Sequence, residues 1–353
     1  MRIFFLVDQM AMGGAGRVAS ILIKGLFDKG HTIALETDIA KGLFYKIPEE
    51  IEIFERIQNK GCLNRLICHR NYINKFKPDV IVAFLPSMFL DIWIASIGLN
   101  IPIIASDHTS MSRDLGRWTN FLRHHFYAFA KKVTILTNKD ARYLGKRLKN
   151  KVVVYNPLTF EPISNYCSAN REKKILVVGR LQHWRVKGID RIIQIWSNLH
   201  EKFPNWTLEI AGPGDNDAIE QISNLISMAS VDGSVKLLGN IENIRNLYQN
   251  TSIFALPSRV EGFPMALTEA MSQGCACIAF SLEGAIDEII SHNKDGIIVE
   301  DNNLSEFEMQ LSRLISDHSL RDKIAQEAIL KVERFSENIF INNWDNLLSQ
   351  AIL

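Results

Sequence analysis

Paired cysteines, metal-ligand spacings and an unbroken apolar run long enough for a membrane are all missing from this 353-residue chain. Its five cysteines, Cys62, Cys68, Cys167, Cys275 and Cys277, are odd in number and lack C-x-x-C spacing. That argues against a zinc site or a disulfide framework and makes a reducing cytoplasm the natural home. His124, His125 and His183 have no partners at metal spacing, and no D-x-D-like pair stands at a convincing strand end, so no obligatory metal and no other cofactor is expected. The apolar opening Ile3–Val7 is cut short by Asp8 with no small-residue cleavage pattern after it, so it reads as a first strand rather than a signal peptide. Val80–Leu99, the longest greasy stretch, is broken by Pro86 and Asp91 and reads as a buried strand, a turn and a helix. Net charge is also nearly absent at +1, but this hides halves of +10 (residues 1–160) and −9 (the rest). A basic half suits a phosphorylated substrate, an anionic membrane or a plain solvated surface.

What is present is enough apolar residue, 47%, to bury substantial cores, in a chain long enough for two domains. The runs RIFFLVD, HTIALET, IEIF, VIVAF, PIIAS and KVTIL alternate with helical stretches, as expected of a parallel sheet covered by helices. A polar, turn-rich linker near residues 156–172 precedes a restart of the pattern in KILVVG, WTLEIAG, VKLLG, IFALP, ACIAF and GIIV. The fold class expected is α/β, with two Rossmann-like doubly wound domains facing across a cleft. They span residues 1–165 and 166–335, and a C-terminal helix over 336–353 packs back on the first. In such sheets ligands bind beyond the carboxyl ends of the strands, where loops meet helix N-termini.

The most informative stretch is IFALPSRVEGFPMALTEAMSQGCACIAF, residues 253–280, which reads strand, loop, helix, strand. Pro264 suits a first helical position, and the free amides that follow make an anion site. Glu261 precedes that helix and Glu269 lies about one and a half turns inside it. Carboxylates repel a diphosphate, so the pair makes sense if each addresses neutral hydroxyls: Glu269 a ribose diol, Glu261 a sugar hydroxyl near developing positive charge. Taken alone, Glu269 equally reads as a helix-dipole partner and Glu261 as a solvated loop residue. At VVGRLQHWRVKGID, Arg180 and Lys187 supply two cations of the kind a departing diphosphate needs.

These stretches resemble glycosyltransferase family 4, retaining enzymes of the GT-B fold, over nearly the whole chain. The paired glutamates of that family, with seven residues between them in an EGFP…LLEAMA-like stretch, match Glu261-Gly262-Phe263-Pro264 and Glu269-Ala270-Met271. The resemblance implies that Glu261 contacts the transferred sugar and Glu269 the nucleotide ribose. It also implies that the Phe263–Leu267 segment, including Met265, Ala266 and Leu267, binds sugar and phosphates through its backbone. Arg180 and Lys187 match the donor-phosphate cations of a GRL…KG motif, but five residues rather than three separate GRL from KG. Arg185 therefore stands beside Lys187 as a candidate. His108 in PIIASDHTS resembles the histidine of the family close to the donor sugar, with Asp107 expected to orient its ring. Asn156, Gly212 and Gly214 are lesser candidates.

The loop MAMGGAGRVA admits two readings. Gly14-Ala15-Gly16-Arg17-Val18-Ala19 matches a dinucleotide fingerprint with Glu36 or Asp38 as its acid, which is the case for an NAD-dependent oxidoreductase. Its glycines stand late after the strand, favouring a GG-x-x-R loop in which Gly13 and Gly14 let backbone approach donor phosphates or acceptor while Arg17 starts the helix. A non-catalytic nucleotide-binding subunit is the third reading. The expected function is transfer of a hexosyl or N-acetylhexosaminyl unit from a nucleotide sugar, UDP-linked by family habit, to a glycan or lipid-linked glycan acceptor. The six Lys/Arg and no acid between Glu55 and Asp79, and the basic-aromatic run RDLGRWTNFLRHHFYAFAKK, suit an anionic membrane as a further partner, with a peripheral place on its inner face. No nucleic-acid partner is expected.

Overall fold

A computed structural model describes residues 1–10, 13–56, 61–111, 113–282 and 286–353, leaving aside the side chains of Lys41, Arg147 and Asn170. Ala11 and Met12 of the glycine-rich loop and Lys60 of the basic stretch lie outside these residues. Among the described residues the chain forms two parallel sheets. The first contains β1 (Arg2–Leu6), β2 (Thr32–Thr37), β3 (Glu52–Glu55), β4 (Val80–Phe84), β5 (Ile103–Ser106), β6 (Lys132–Ile135) and β7 (Lys151–Val153) in the order β3-β2-β1-β4-β5-β6-β7. The second contains β8 (Glu172–Val178), β9 (Thr207–Ala211), β10 (Val235–Gly239), β11 (Thr251–Leu256), β12 (Ala276–Ser281) and β13 (Ile297–Glu300) in the order β10-β9-β8-β11-β12-β13.

Continuous apolar runs make these central strands because helices cover both sheet faces. Every residue of β4, VIVAF, is buried. The first sheet is connected by α1 (Gly14–Asp28), α2 (Gly61–Phe76), α3 (Pro86–Ala95), α4 (Arg117–His125) and α5 (Asn138–Leu144). The second uses α6 (Ile189–Ser197), α7 (Asn216–Met228), α8 (Ile244–Asn250), α9 (Met265–Ser272), α10 (Ile286–Ile289), α11 (Leu304–Ser316) and α12 (His318–Val332). None of the described helices is long and apolar enough to cross a membrane.

One compact unit comprises Met1–Pro157 with Glu337–Leu353, the other Leu158–Ser336. The second therefore begins earlier than residue 166, because its backbone pairing begins earlier: Leu158 N–H donates to Phe335 O at 2.7 Å and Ile163 N–H to Ser272 O at 2.8 Å. The last helix, α13 (Glu337–Ile352), belongs to the first unit and packs on α1. Approach is so close there that a Cβ at Gly25 would lie 2.4 Å from Ile341 Cδ1. Lys29 and His31, past the end of α1, add contacts to Asp345 at 3.1 and 3.0 Å.

Each sheet reverses its strand order at one place, between β1 and β4 in the first unit and between β8 and β11 in the second. Loops leaving such a pair turn to opposite faces of the sheet and leave a crevice at its carboxyl edge.

Candidate functional site

In the second unit, GRL follows β8 and SRVEGFP follows β11, so both motifs leave from the switch point. The two loops are fastened together. Arg259 N–H donates to Val186 O at 2.8 Å, and the Arg259 guanidinium grips Asp190 at 2.8 and 2.6 Å and also bonds Arg185 O. Burial opposes ionisation of Asp190, but the Arg259 bonds outweigh it and hold the carboxyl below its usual range. Gly188 has φ +68°, and a Cβ there would lie 1.9 Å from Pro257 O, so both conformation and space require glycine. A Cβ at Gly179 would crowd the Lys187 chain at 3.0 Å, so that glycine leaves the lysine its path.

The result is a contact between motifs 74 residues apart: Lys187 Nζ donates to Glu261 Oε1 at 2.7 Å. Ser258 Oγ donates to the same oxygen at 2.8 Å. The longer GRL-to-KG spacing therefore does not keep Lys187 from the glutamate loop. Arg185 instead lays its guanidinium over the Trp184 ring, 4.8 Å from the centroid. Arg180 is exposed, and among the described residues no protein acceptor holds its guanidinium.

Pro264 is the residue before α9 rather than its first, which moves the helix start by one position. The first amides of α9, those of Met265 and Ala266, have no intrahelical acceptor and point to the carboxyl edge with the positive end of the helix dipole. Phe263 is buried edge-on against Phe335 at 5.2 Å, and Leu267 lies in the core, so this turn is packed rather than loose. Glu269 is only 5% exposed. Thr159 Oγ1 donates to its Oε1 at 2.6 Å, and Tyr248 OH to its Oε2 at 3.1 Å. Gly212 sits against Gly179 O, where a Cβ would fall at 1.8 Å, and Gly214 sits against Leu181. Close packing of the β8 and β9 ends accounts for both.

In the first unit α1 begins at Gly14, three residues earlier than Arg17. Gly13 N–H donates to Tyr45 OH at 3.0 Å, Tyr45 OH donates to Gly13 O at 3.2 Å, and the Arg17 guanidinium lies 5.4 Å from the Tyr45 ring centroid. One of the two acids of the dinucleotide reading, Glu36, is already engaged, buried against His69 Nδ1 at 2.8 Å.

His108 follows β5 and stacks on Phe84 at 4.7 Å and 8°. Asp107 does not orient it. That carboxylate turns into the interior and accepts from Arg123 at 2.8 and 2.9 Å, Tyr127 at 2.9 Å and Thr109 at 2.7 Å. A buried acid needs this full set of partners, and none of these hydrogen bonds goes to the imidazole. Ser106 Oγ holds His108 Nε2 at 2.9 Å, itself held by Thr134 at 2.8 Å. His108 Nδ1 and Asn156 Oδ1 are both buried, and the Asn156 side chain is close enough to His108 to favour its protonated form. Beside them, Leu85 at the end of β4 has φ +78°, a strained conformation for a branched side chain.

Burial lowers the His108 pKa to about 4 against opposing pulls from the Asp107 charge and the Asn156 side chain, so the ring is neutral at physiological pH. Unfolded, it titrates near 6.5. Between these values the unfolded chain binds a proton that the folded chain does not, so this contribution is full above pH 6.5 and is lost as pH falls towards 4. The cost is on the order of 2 kcal/mol after allowance for the partial exposure of the residue. Urea unfolding of wild type and His108→Gln from pH 7 to 4 is expected to show a shallower decline in the variant; identical slopes would refute the assignment.

Hydroxyl partners were the part that motif reading missed. Ser258 stands three residues before Glu261 and was within reach of spacing arguments, whereas Tyr248, Thr159 and Thr134 carry no local signal. Arg123, counted in the basic-aromatic run, is buried and serves Asp107.

Comparison with known proteins fits this geometry. Residues 12–160 match the family model described as Glycosyltransferase Family 4, and residues 164–331 match Glycosyl transferases group 1. An uncharacterized glycosyltransferase of Haemophilus influenzae is 25% identical, with 98% of this chain and 99% of that protein covered. The Campylobacter jejuni enzyme named GalNAc-alpha-(1->4)-GalNAc-alpha-(1->3)-diNAcBac-PP-undecaprenol alpha-1,4-N-acetyl-D-galactosaminyltransferase is also 25% identical, over 99% of each chain. Among solved structures, Anabaena Alr3699/HepE in complex with UDP and glucose superposes with a TM-score of 0.82 at 20% identity, covering 99% of this chain and 100% of that one.

Proposed function

Because this chain belongs to the group 1, family 4 glycosyltransferases and has their GT-B fold, we propose that it moves a hexosyl or N-acetylhexosaminyl unit, with retention, from a UDP-sugar to a lipid-linked glycan in surface polysaccharide assembly. The observation that carries this reading is the meeting of Lys187, Glu261 and the α9 N-terminus at the β8/β11 switch point. In the proposed site, Lys187 and Arg180 balance the diphosphate, helped by the Met265 and Ala266 amides; the Leu267 amide, expected to share this role, is already given to Pro264 O at 3.0 Å. Glu269 accepts from the ribose diol. Glu261, whose two protein hydrogen bonds both fall on Oε1, keeps Oε2 for a sugar hydroxyl. As the bond from the anomeric carbon to the diphosphate oxygen breaks, positive charge grows on the sugar and negative charge on the leaving group. An acceptor oxygen then bonds that carbon from the same face, and its proton passes to the departing phosphate oxygen. Protein cations supply the counter-charge throughout.

We assign the acceptor to the first unit. His108 Nδ1 and Asn156 Oδ1 offer it polar contacts, and Gly13 and Gly14 allow backbone approach. An anionic lipid surface is the proposed partner of the outer face. Trp118 is 62% exposed and Phe129 59%, with Phe121 on the same helix as Trp118. Leu63 and Ile67 are exposed on α2, which packs on α3, which in turn packs on α4. Exposed Arg117, His124, His125 and Lys131 lie in the same stretch. Aromatic side chains at the headgroup level, with cations beside them, are how a peripheral protein holds such a surface.

One vesicle experiment tests both parts. With a panel of radiolabelled nucleotide sugars, slow hydrolysis is expected from a UDP-sugar and none from NAD-linked chemistry. At low salt the protein is expected to sediment with anionic but not neutral vesicles. Absence of turnover of every nucleotide sugar sinks the enzymatic reading, and equal sedimentation sinks the membrane reading.

A further inference from the structure

Lys187 stands at the end of the loop Gln182–Val186, and its ammonium meets Glu261 Oε1 at 2.7 Å. A loop end holds one place only if something outside the loop fixes it, because each unordered residue keeps its backbone freedom. Both chain neighbours of Lys187 are tied to the segment that leads into Glu261. Val186 O accepts from Arg259 N–H at 2.8 Å, and Gly188 lies so near Pro257 O that a Cβ has no room. These two ties are made by main chain. The Arg259 side chain adds two more. It reaches Arg185 O, which also accepts from Gly188 N–H at 3.2 Å, and it grips both Asp190 oxygens at 2.8 and 2.6 Å. Asp190 lies in the first turn of α6. One guanidinium thus joins the end of the GRL loop, the start of α6 and the approach to Glu261. Its planar fork suits that task in a way that a single ammonium does not.

We propose that Arg259 is a positioning residue for donor turnover that acts through Lys187: its grip on Asp190 and Arg185 O holds the lysine ammonium where the leaving diphosphate gathers charge. This rests on the reading of Lys187 as a donor-phosphate cation. Arg259 itself touches no substrate, since protein acceptors engage its guanidinium. Its side chain is 36% exposed and that of Asp190 31%, so the ion pair adds little to the stability of the fold. What it adds is placement. A charge that serves a transition state has to be in position before the bond breaks, and a displacement of about 1 Å costs up to about 10²-fold in rate.

A double-mutant cycle on the full chain tests this, read as steady-state hydrolysis of a radiolabelled UDP-hexose or UDP-N-acetylhexosamine, whichever the wild type turns over. Arg259→Ala is expected to lose about ten- to thirtyfold, mostly in kcat, with a Tm close to wild type. In the Lys187→Ala background the same substitution is expected to cost less than about threefold, because the group that it positions is gone. Arg259→Lys keeps the charge but offers one point in place of a fork, and is expected to recover part of the rate. Asp190→Asn removes the other half of the grip and is expected to match Arg259→Ala. Should Arg259→Ala fail to fold, Asp190→Asn takes its place in the cycle with Lys187→Ala. Wild-type turnover in both Arg259→Ala and Asp190→Asn, or losses that multiply fully when either is combined with Lys187→Ala, overturns the positioning role alone. Wild-type turnover in Lys187→Ala overturns the phosphate reading of that lysine and the proposal with it.

Discussion

Lys187→Ala is expected to lower donor turnover by roughly 30- to 900-fold, the rate equivalent of about 2–4 kcal/mol of lost transition-state stabilisation. Arg180→Ala is expected to lose less. Both cations face the proposed diphosphate, but Lys187 also neutralises Glu261 at 2.7 Å. Without it, a carboxylate whose side chain is mostly shielded from water faces the leaving phosphates with no counter-ion. Removing that carboxylate's charge as well relieves part of the damage, so Lys187→Ala combined with Glu261→Gln is expected to lose less than the sum of the single effects. Arg185→Ala is the control, since its guanidinium lies on Trp184; turnover near wild type is expected. Steady-state kcat/KM with varied donor reads all four. Normal turnover in both Lys187→Ala and Arg180→Ala would remove the phosphate assignment.

Most of the architecture was legible because it is written in periodicity. Runs such as VIVAF and ACIAF can be buried on both faces only in a covered parallel sheet, and each became a central strand. The candidate residues were legible because chemistry fixes their types and strand ends fix their places: GRL and EGFP had to leave from β8 and β11 whatever the details of packing. What could not be read were long-range partners of single polar groups. Asp107 sits beside His108 in sequence, yet Arg123 and Tyr127 claim it, and Ser106 takes the imidazole. Adjacent residues at a strand end point to opposite sides, so proximity along the chain misled. The reach of Lys187 likewise depended on the Gly188 and Arg259 fastenings, which counting residues between motifs does not measure.

The two glutamates are expected to fail in different ways. Ribose hydroxyls are the same before and during bond breaking, so a residue that accepts from them binds ground and transition states alike; Glu269→Ala is expected to raise donor KM about tenfold or more with a smaller change in kcat. Its buried setting adds a second effect, since Thr159 and Tyr248 lose the acceptor that both now use, and a lower Tm accompanies the higher KM. Glu261 faces the place where the sugar gains positive charge. Glu261→Gln keeps the shape and one acceptor while removing the negative charge, so its loss is expected in kcat, at about 10²-fold, with donor KM no higher than in wild type. The substitution also frees Lys187 from its ion pair, which by itself strengthens the hold on the diphosphate and pushes donor KM down rather than up. The signatures of the two variants therefore diverge on both axes. Initial rates at saturating acceptor over a range of donor concentrations separate them. A wild-type kcat in Glu261→Gln, or a rise in KM of the same size in both variants, would refute the division of roles while leaving the family assignment intact.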